Sequence, residues 1–172
     1  MRGEQSAWEA LPVGVGAGVL ATVTMDAAMV VAAWLAPEAF ATDKIGLEVI
    51  GRWARGVSRG HLRSADIGAE PVVRGEVALG LATHYLTGIM LTELYLAATR
   101  RGLPSGAASA GAYGVATALL PLVILYPSLG YGCCGRKVDD RRRLVCAMLL
   151  GHAAFGAGIG LWTALLRRRV RV

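Results

Sequence analysis

Residues 11–36 read LPVGVGAGVLATVTMDAAMVVAAWLA, an apolar run with one formal charge, Asp26. About 20 residues of helix cross the hydrocarbon core of a bilayer, so this run is long enough to span it. Its apolar residues do not alternate with polar ones, which excludes a barrel strand. Three further runs have the same character, at 77–98, 107–126 and 144–166. The chain has 172 residues with 18 Lys+Arg and 12 Asp+Glu, and only Asp26 and Glu93 among these fall inside the four runs. A charge at mid-bilayer costs about 2.5 kcal/mol or more, and lipid solvation therefore demands this sorting. A soluble bundle would give every helix a polar face, and none of the four has one. The expected fold is an all-α membrane protein: a single integral domain over 1–172, with four transmembrane helices in an up-down bundle and a long first loop, 37–76.

The composition agrees. The chain is 55% hydrophobic and 17% charged, where a soluble domain is about half apolar and a quarter charged. A net charge of +6 would suit a nucleic-acid binder. No groove-reading motif accompanies it, however, and the arginines cluster at the ends of the apolar runs, where they anchor to headgroups. The partner expected is the lipid bilayer, not nucleic acid. The first run is longer than a signal-peptide core, and Glu4 and Glu9 stand beside Arg2 before it, so it reads as a span and not a cleaved leader. Cys133, Cys134 and Cys146 form no disulfide framework. The vicinal pair reads as two inert cysteines at the membrane edge, with a redox or lipidated role as the alternative.

The first loop carries Ile45, Val49 and Trp53 at i, i+4 spacing, with Glu48 and Arg52 alongside. That pattern predicts a short amphipathic helix at the interface. Thr99 to Gly106 is a tight turn, and the third loop opens Pro127-Ser128-Leu129-Gly130-Tyr131-Gly132. Pro121 is expected to kink the third span, with Thr117 available to take up a freed backbone group. The positive-inside count leans towards both termini outside, while the Arg167, Arg168, Arg169, Arg171 tail pulls the other way.

The polar residues that stayed in the spans fall on stripes. Gly14, Gly18, Thr22 and Asp26 recur at i, i+4, as do Gly80, His84, Gly88 and Thr92, and His152, Gly156 and Gly160. Small residues on a stripe let helix backbones approach, so each ionisable group faces another helix. Asp26, His84 and His152 lie roughly 4 to 5 Å from mid-span, all displaced towards the side of loops one and three. They are expected to form one intramembrane polar centre. Thr22, Tyr85, Arg52, Trp53, Gly130 and Gly132 are the supporting candidates. Glu93 lies about 8 Å towards the other surface and on the opposite helix face, outside the centre. Three chemistries fit: an interhelical hydrogen-bond knot, a proton-titratable or substrate-binding site, or a metal site of two histidines and an aspartate. No cofactor signature is present. Gly14-x-Gly16-x-Gly18 lacks the strand and glycine spacing of a dinucleotide loop, and neither a nucleophile elbow nor a phosphate loop occurs.

Several segments together resemble a bacterial membrane-protein family known as domain of unknown function 2938. The glycine-to-Met25-Asp26 first helix is similar to that family's, as is Gly51-Arg52-Trp53. Arg74-Gly75-Glu76 with Gly80, His84-Tyr85 and Gly88 resembles its second-helix segment. Tyr126-Pro127-Ser128-Leu129-Gly130-Tyr131-Gly132 resembles its Pro-Gly-Met-Gly-x-Gly turn, with Ser128-Leu129 in place of Gly-Met. Leu81 stands where a Trp is usual, and Cys133-Cys134 where small residues are. His152 with Phe155-Gly156 matches the last helix. The resemblance implies a four-helix, multi-pass protein of the bacterial inner membrane and supplies no reaction.

Three function classes stay open. One is binding or translocation of a small solute, ion or proton at the Asp/His centre. Another is a non-catalytic assembly subunit whose glycine stripes pack on a partner or a second copy. The third, and least favoured, is a membrane-embedded enzyme acting on a lipid or quinone. A water-accessible cavity reaching Asp26 would favour the first, and a lipid-facing glycine stripe the second. A histidine pair open sideways to lipid would favour the third.

Overall fold

The computed structural model describes residues 7–37 and 46–170. Arg2, Glu4, Lys44, Ile45 and Arg171 lie outside them. The helices are α1 (Ala7–Leu35), α2 (Leu47–Ser58), α3 (Glu76–Arg100), α4 (Ala107–Thr117) and α5 (Arg141–Val170). A π-helical turn, Pro121–Leu125, and a short helical segment, Tyr126–Ser128, extend α4 to complete the third span. Short 3-10 turns lie at Ile67–Ala69 and Cys133–Gly135. No strand occurs among the described residues.

Four helices are long and apolar enough to cross a membrane: Pro12–Leu35, Glu76–Arg100, Ala107–Ser128 and Arg141–Arg169. The connection between the first two spans carries the short helix expected of it. Its described part contains α2 and the Ile67–Ala69 turn. α2 does form as the amphipathic pattern predicted, but it is packed against the start of α3.

The bundle is held mainly through α1 and α5. α1 packs along both α3 and α5, and α5 also carries α4. Outward the spans present Val30, Trp34, Leu86, Met90, Leu119, Val123 and Leu161, all exposed. An apolar surface spread over every span requires lipid around it. Inward, small residues set the helix spacing. A Cβ on Gly18 would stand 2.7 Å from the Ile89 Cα, and one on Gly158 would stand 2.8 Å from the Ala21 Cα. Gly114 and Gly156 let α4 and α5 meet backbone to backbone in the same way.

The α1–α3 pairing is antiparallel and its register follows the stripe. Gly14 faces Glu93, Gly18 faces Ile89, Thr22 faces Gly88, and Asp26 faces His84 and Tyr85. The first stripe, with His84 and Gly88 of the second, is therefore the seam between the first two spans, whereas Gly80 packs on α2 and Gly156 and Gly160 of the third stripe pack on α4.

α2 is locked onto α3 by charge. The Arg52 Nε donates to Glu76 Oε2 at 3.0 Å and its Nη2 to Oε1 at 2.9 Å. Nη1 donates to the carbonyls of Ile67, at 3.0 Å, and Glu70, at 3.3 Å. The Val73 N–H donates to Glu76 Oε2 at 2.9 Å. Both side chains are 9% exposed. A two-pronged guanidinium–carboxylate pair is the strong form of this contact, and the bond to Glu76 raises the Arg52 pKa above its ordinary value, so it stays charged. Gly75 takes a left-handed φ of 78°, open to glycine, and turns the chain into α3 at Glu76. Beside the pair, Gly51 rides on the Glu76 carbonyl and Gly80 on the Leu47 carbonyl.

Two outcomes follow for detergent-purified protein. Gly80→Val should push α2 off α3 and cost about 1–3 kcal/mol, the usual penalty of overpacking, read as a lowered thermal midpoint. Glu76→Gln should also lower the midpoint, and the paired Arg52→Met/Glu76→Leu variant should recover part of the loss, because it leaves no unpaired charge.

Candidate functional site

The second half of the third span opens a space inside the bundle. α4 lies tight on α5 as far as Thr117, and beyond it the π-helical turn from Pro121 keeps Leu122 and Leu125 packed with Leu144, Val145 and Met148 of α5 while its backbone approaches α3 little. Proline at that position lacks an N–H, so the backbone there departs from the regular α pattern. The result is a cavity of about 590 Å³ bounded by α1, α2, α3, the Pro121 turn and α5. Most of its wall is apolar. Its polar part gathers where the stripes predicted.

Asp26 on α1 is the hub. The His84 Nε2 lies 3.0 Å from its Oδ1, and the Tyr85 hydroxyl donates to its Oδ2 at 3.1 Å. The His84 and Tyr85 rings stand edge to face, with centroids 5.5 Å apart. The Asp26 side chain is still 44% exposed and that of His84 21%, so the pair borders open space. His152 lines the same cavity from α5, without a hydrogen bond to either partner. Its Nδ1 lies 2.9 Å from the Met148 carbonyl. A carbonyl only accepts, so Nδ1 carries the proton and Nε2 of the neutral ring is an acceptor. Asp26 and His84 thus converge directly, and His152 joins them as a neighbour across the cavity. Among the described residues no three His, Cys, Asp or Glu side chains form a group that could hold a metal.

The supporting candidates divide. Tyr85 touches Asp26. Thr22 lines the cavity with its hydroxyl bonded to the Gly18 carbonyl at 2.8 Å. Trp53 lines it from α2, and its Nε1 has no partner among the described residues. Arg52 does not reach the centre, being committed to Glu76. Gly130 and Gly132 lie in the third loop, with φ of 90° and 74°. Gly130 packs on the Ala65 carbonyl, next to the Ser64 and Ile67 N–H groups that donate to the Ser128 and Leu129 carbonyls. Gly130 thus joins the first and third loops outside the cavity, while Gly132 lies beside Arg136 and Lys137 within the third loop. Sequence reasoning missed Tyr126, a buried cavity wall whose hydroxyl also has no partner among the described residues. Its signal was present, a tyrosine at the foot of a proline-kinked span.

Glu93 lies outside the centre, but not on the opposite helix face as periodicity suggested: its carboxyl lies in the same α1–α3 seam, against Gly14 and remote from Asp26, and Oε1 has no hydrogen-bond partner among the described residues. The Cys133 and Cys134 sulfurs are 3.8 Å apart in the third loop. The hydrogen bond that holds the Cys133 S–H on Cys134, then burial, raises the Cys133 pKa against the opposing pull of Arg136 and Arg141. A raised thiol pKa means less thiolate at neutral pH and slower alkylation. In a Cys146→Ser background, N-ethylmaleimide labelling of Cys133 should be slow at pH 7 and keep climbing past pH 9.0, the unshifted thiol value. Cys134→Gly, which suits the left-handed φ of 52° at that residue, should speed it.

No curated protein and no solved structure is found to be similar to the chain. The model of one family matches residues 13–166, nearly the whole of the four-span bundle and the loops that carry its motifs. The chain therefore belongs to the family described as protein of unknown function DUF2938.

Proposed function

We propose that this polytopic membrane protein binds a small molecule inside the bilayer, with the Asp26–His84 pair as the polar end of the site. The observation that carries this reading is a carboxylate held by two donors yet left 44% exposed, on the wall of a cavity of about 590 Å³. Ligand sites are typically concave, about 300–1,000 Å³, and mostly apolar with a few placed polar groups. Ionisable residues within spans commonly mark a substrate or proton pathway. His84 and His152 place two imidazole rings on the site, so binding coupled to proton movement belongs to the same reading. The assembly-subunit reading loses its expected sign, because Gly14, Gly18, Gly80, Gly88, Gly114 and Gly156 are all occupied by contacts within the chain. By its family resemblance the setting is the bacterial inner membrane.

Native mass spectrometry of mildly extracted protein tests this. Wild-type protein should retain a small molecule. Gly151→Leu should reduce its occupancy at least tenfold, since a side chain there enters the cavity against only the flexible ends of Met25 and Met29. His84→Phe should do the same by removing the polar end. An empty wild-type protein, or undiminished occupancy in a folded Gly151→Leu variant, overturns the reading.

A further inference from the structure

We infer that the site is filled from the lipid side, through the gap between α3 and the Pro121 turn, by a lipid-dissolved molecule carrying a hydroxyl head on an apolar body. This inference rests on the binding-site reading above and adds the route and the ligand class.

The route follows from which walls are closed. α1 and α5 seal the back through Gly158 and Ala21. α2 roofs the cavity with Leu47, Ile50 and Trp53, clamped by the Arg52–Glu76 pair. At the far end α3 and α4 do meet: the Tyr95 and Tyr113 rings are 5.1 Å apart, and the Tyr113 hydroxyl donates to the Leu91 carbonyl at 2.7 Å. From there towards α2 the two spans separate, and the Pro121 turn makes no appreciable contact with α3. The residues facing each other across this gap both line the cavity and lie exposed on the outer surface: Leu81 at 46%, Leu120 at 40% and Ile124 at 57%, with Thr87 between them. The outer surface at this depth faces lipid, so the gap leads to hydrocarbon.

The ligand class follows from the lining. Leu91, Met148 and Phe155 add to those rim residues an apolar wall around most of the space. From Leu81 to Leu91 the wall runs about 15 Å along α3 at 1.5 Å per residue, long enough for an extended apolar body. The polar end offers acceptors: the remaining lone pairs of the Asp26 carboxylate and Nε2 of His152. A hydroxyl donates to either. Displacing lipid from this cavity leaves a head group without donors nothing to bond, whereas a hydroxyl head on an apolar body satisfies both ends.

The test uses the full chain in phosphatidylcholine nanodiscs with tritiated 5-decylresorcinol, and resorcinol as the tailless competitor. The probe should bind saturably. Asp26→Ala and Gly151→Leu should each weaken binding at least tenfold, and resorcinol should compete at least a hundredfold less well. Ile124→Trp and Leu81→Trp place bulk on the exposed rim of the gap, where folding tolerates it. Both should slow dissociation as well as association at least tenfold, whereas loss of a wall contact alone would speed dissociation. Unchanged rates in both rim variants overturn the lateral route and leave the binding site standing. Equal competition by resorcinol overturns the apolar body, and absence of probe binding overturns the hydroxyl-head class. Binding that ignores both Asp26→Ala and Gly151→Leu instead overturns the site itself.

Discussion

A carboxylate placed in the hydrocarbon of a bilayer must find its hydrogen-bond donors within the protein, because no water is at hand to supply them. Asp26 finds them in consecutive residues of α3, the imidazole of His84 and the phenol of Tyr85. That requirement fixes more than one side chain. With Asp26 opposite His84, antiparallel helices have one register available, and it brings Gly18 against Ile89 and Gly14 against Glu93. A slip of one turn either way would strand the aspartate, and in one direction it would also drive the Thr22 Cβ into the α3 backbone. Packing and polarity thus specify the same alignment, as they must for a unique native state.

The Arg52–Glu76 pair plays the corresponding part at the surface. A short amphipathic helix at a membrane face can drift along it, since its apolar side is satisfied equally by headgroup-level lipid and by protein. Two parallel guanidinium–carboxylate bonds and two carbonyl acceptors remove that freedom for α2. Gly51 and Gly80 remove the Cβ atoms that would hold the helices apart. Since α2 supplies Leu47, Ile50 and Trp53 to the cavity, the ion pair defines one wall of the candidate site without entering it. Arg52 is a positioning residue in that sense.

How much of this the sequence carried depends on the range of the signal. Four spans were legible because lipid solvation acts on every residue of a segment, and sums over twenty of them. The Asp26–His84 convergence was legible because helical periodicity and depth are nearly linear in residue number. Tyr85, adjacent to His84 and not on its stripe, was legible only as a supporting residue, although it bonds Asp26 as directly as the imidazole does. The role of Arg52 was not legible: its partner lies 24 residues away, across a connection whose path follows from no local pattern. The cavity was not legible either. Pro121 announces a kink, but whether a kink closes a bundle or opens it depends on the direction of the bend, which only the packed neighbours decide. The third-loop glycines were placed with the site because motif residues attract functional readings. Gly130 instead lets one loop lie on the carbonyl of another.

The surroundings of Asp26 bear on two readings of the polar centre, the hydrogen-bond knot and the binding site. A purely structural hydrogen-bond knot between transmembrane helices should be saturated and sealed, since each unsatisfied or exposed polar group there is a cost with no return. Glu93 shows what packing alone does with a membrane acid in this chain: it is pressed against Gly14, away from any cavity. Asp26 is arranged differently. It holds two donors and still borders open space, with a third ionisable ring, His152, facing that space and anchored separately through the Met148 carbonyl. Had cohesion been the only requirement, His152 would have bonded to Asp26 directly and the cavity between them would be filled. Keeping the two apart, with the intervening space lined by leucine, methionine and phenylalanine, is the arrangement that supports the proposed binding site.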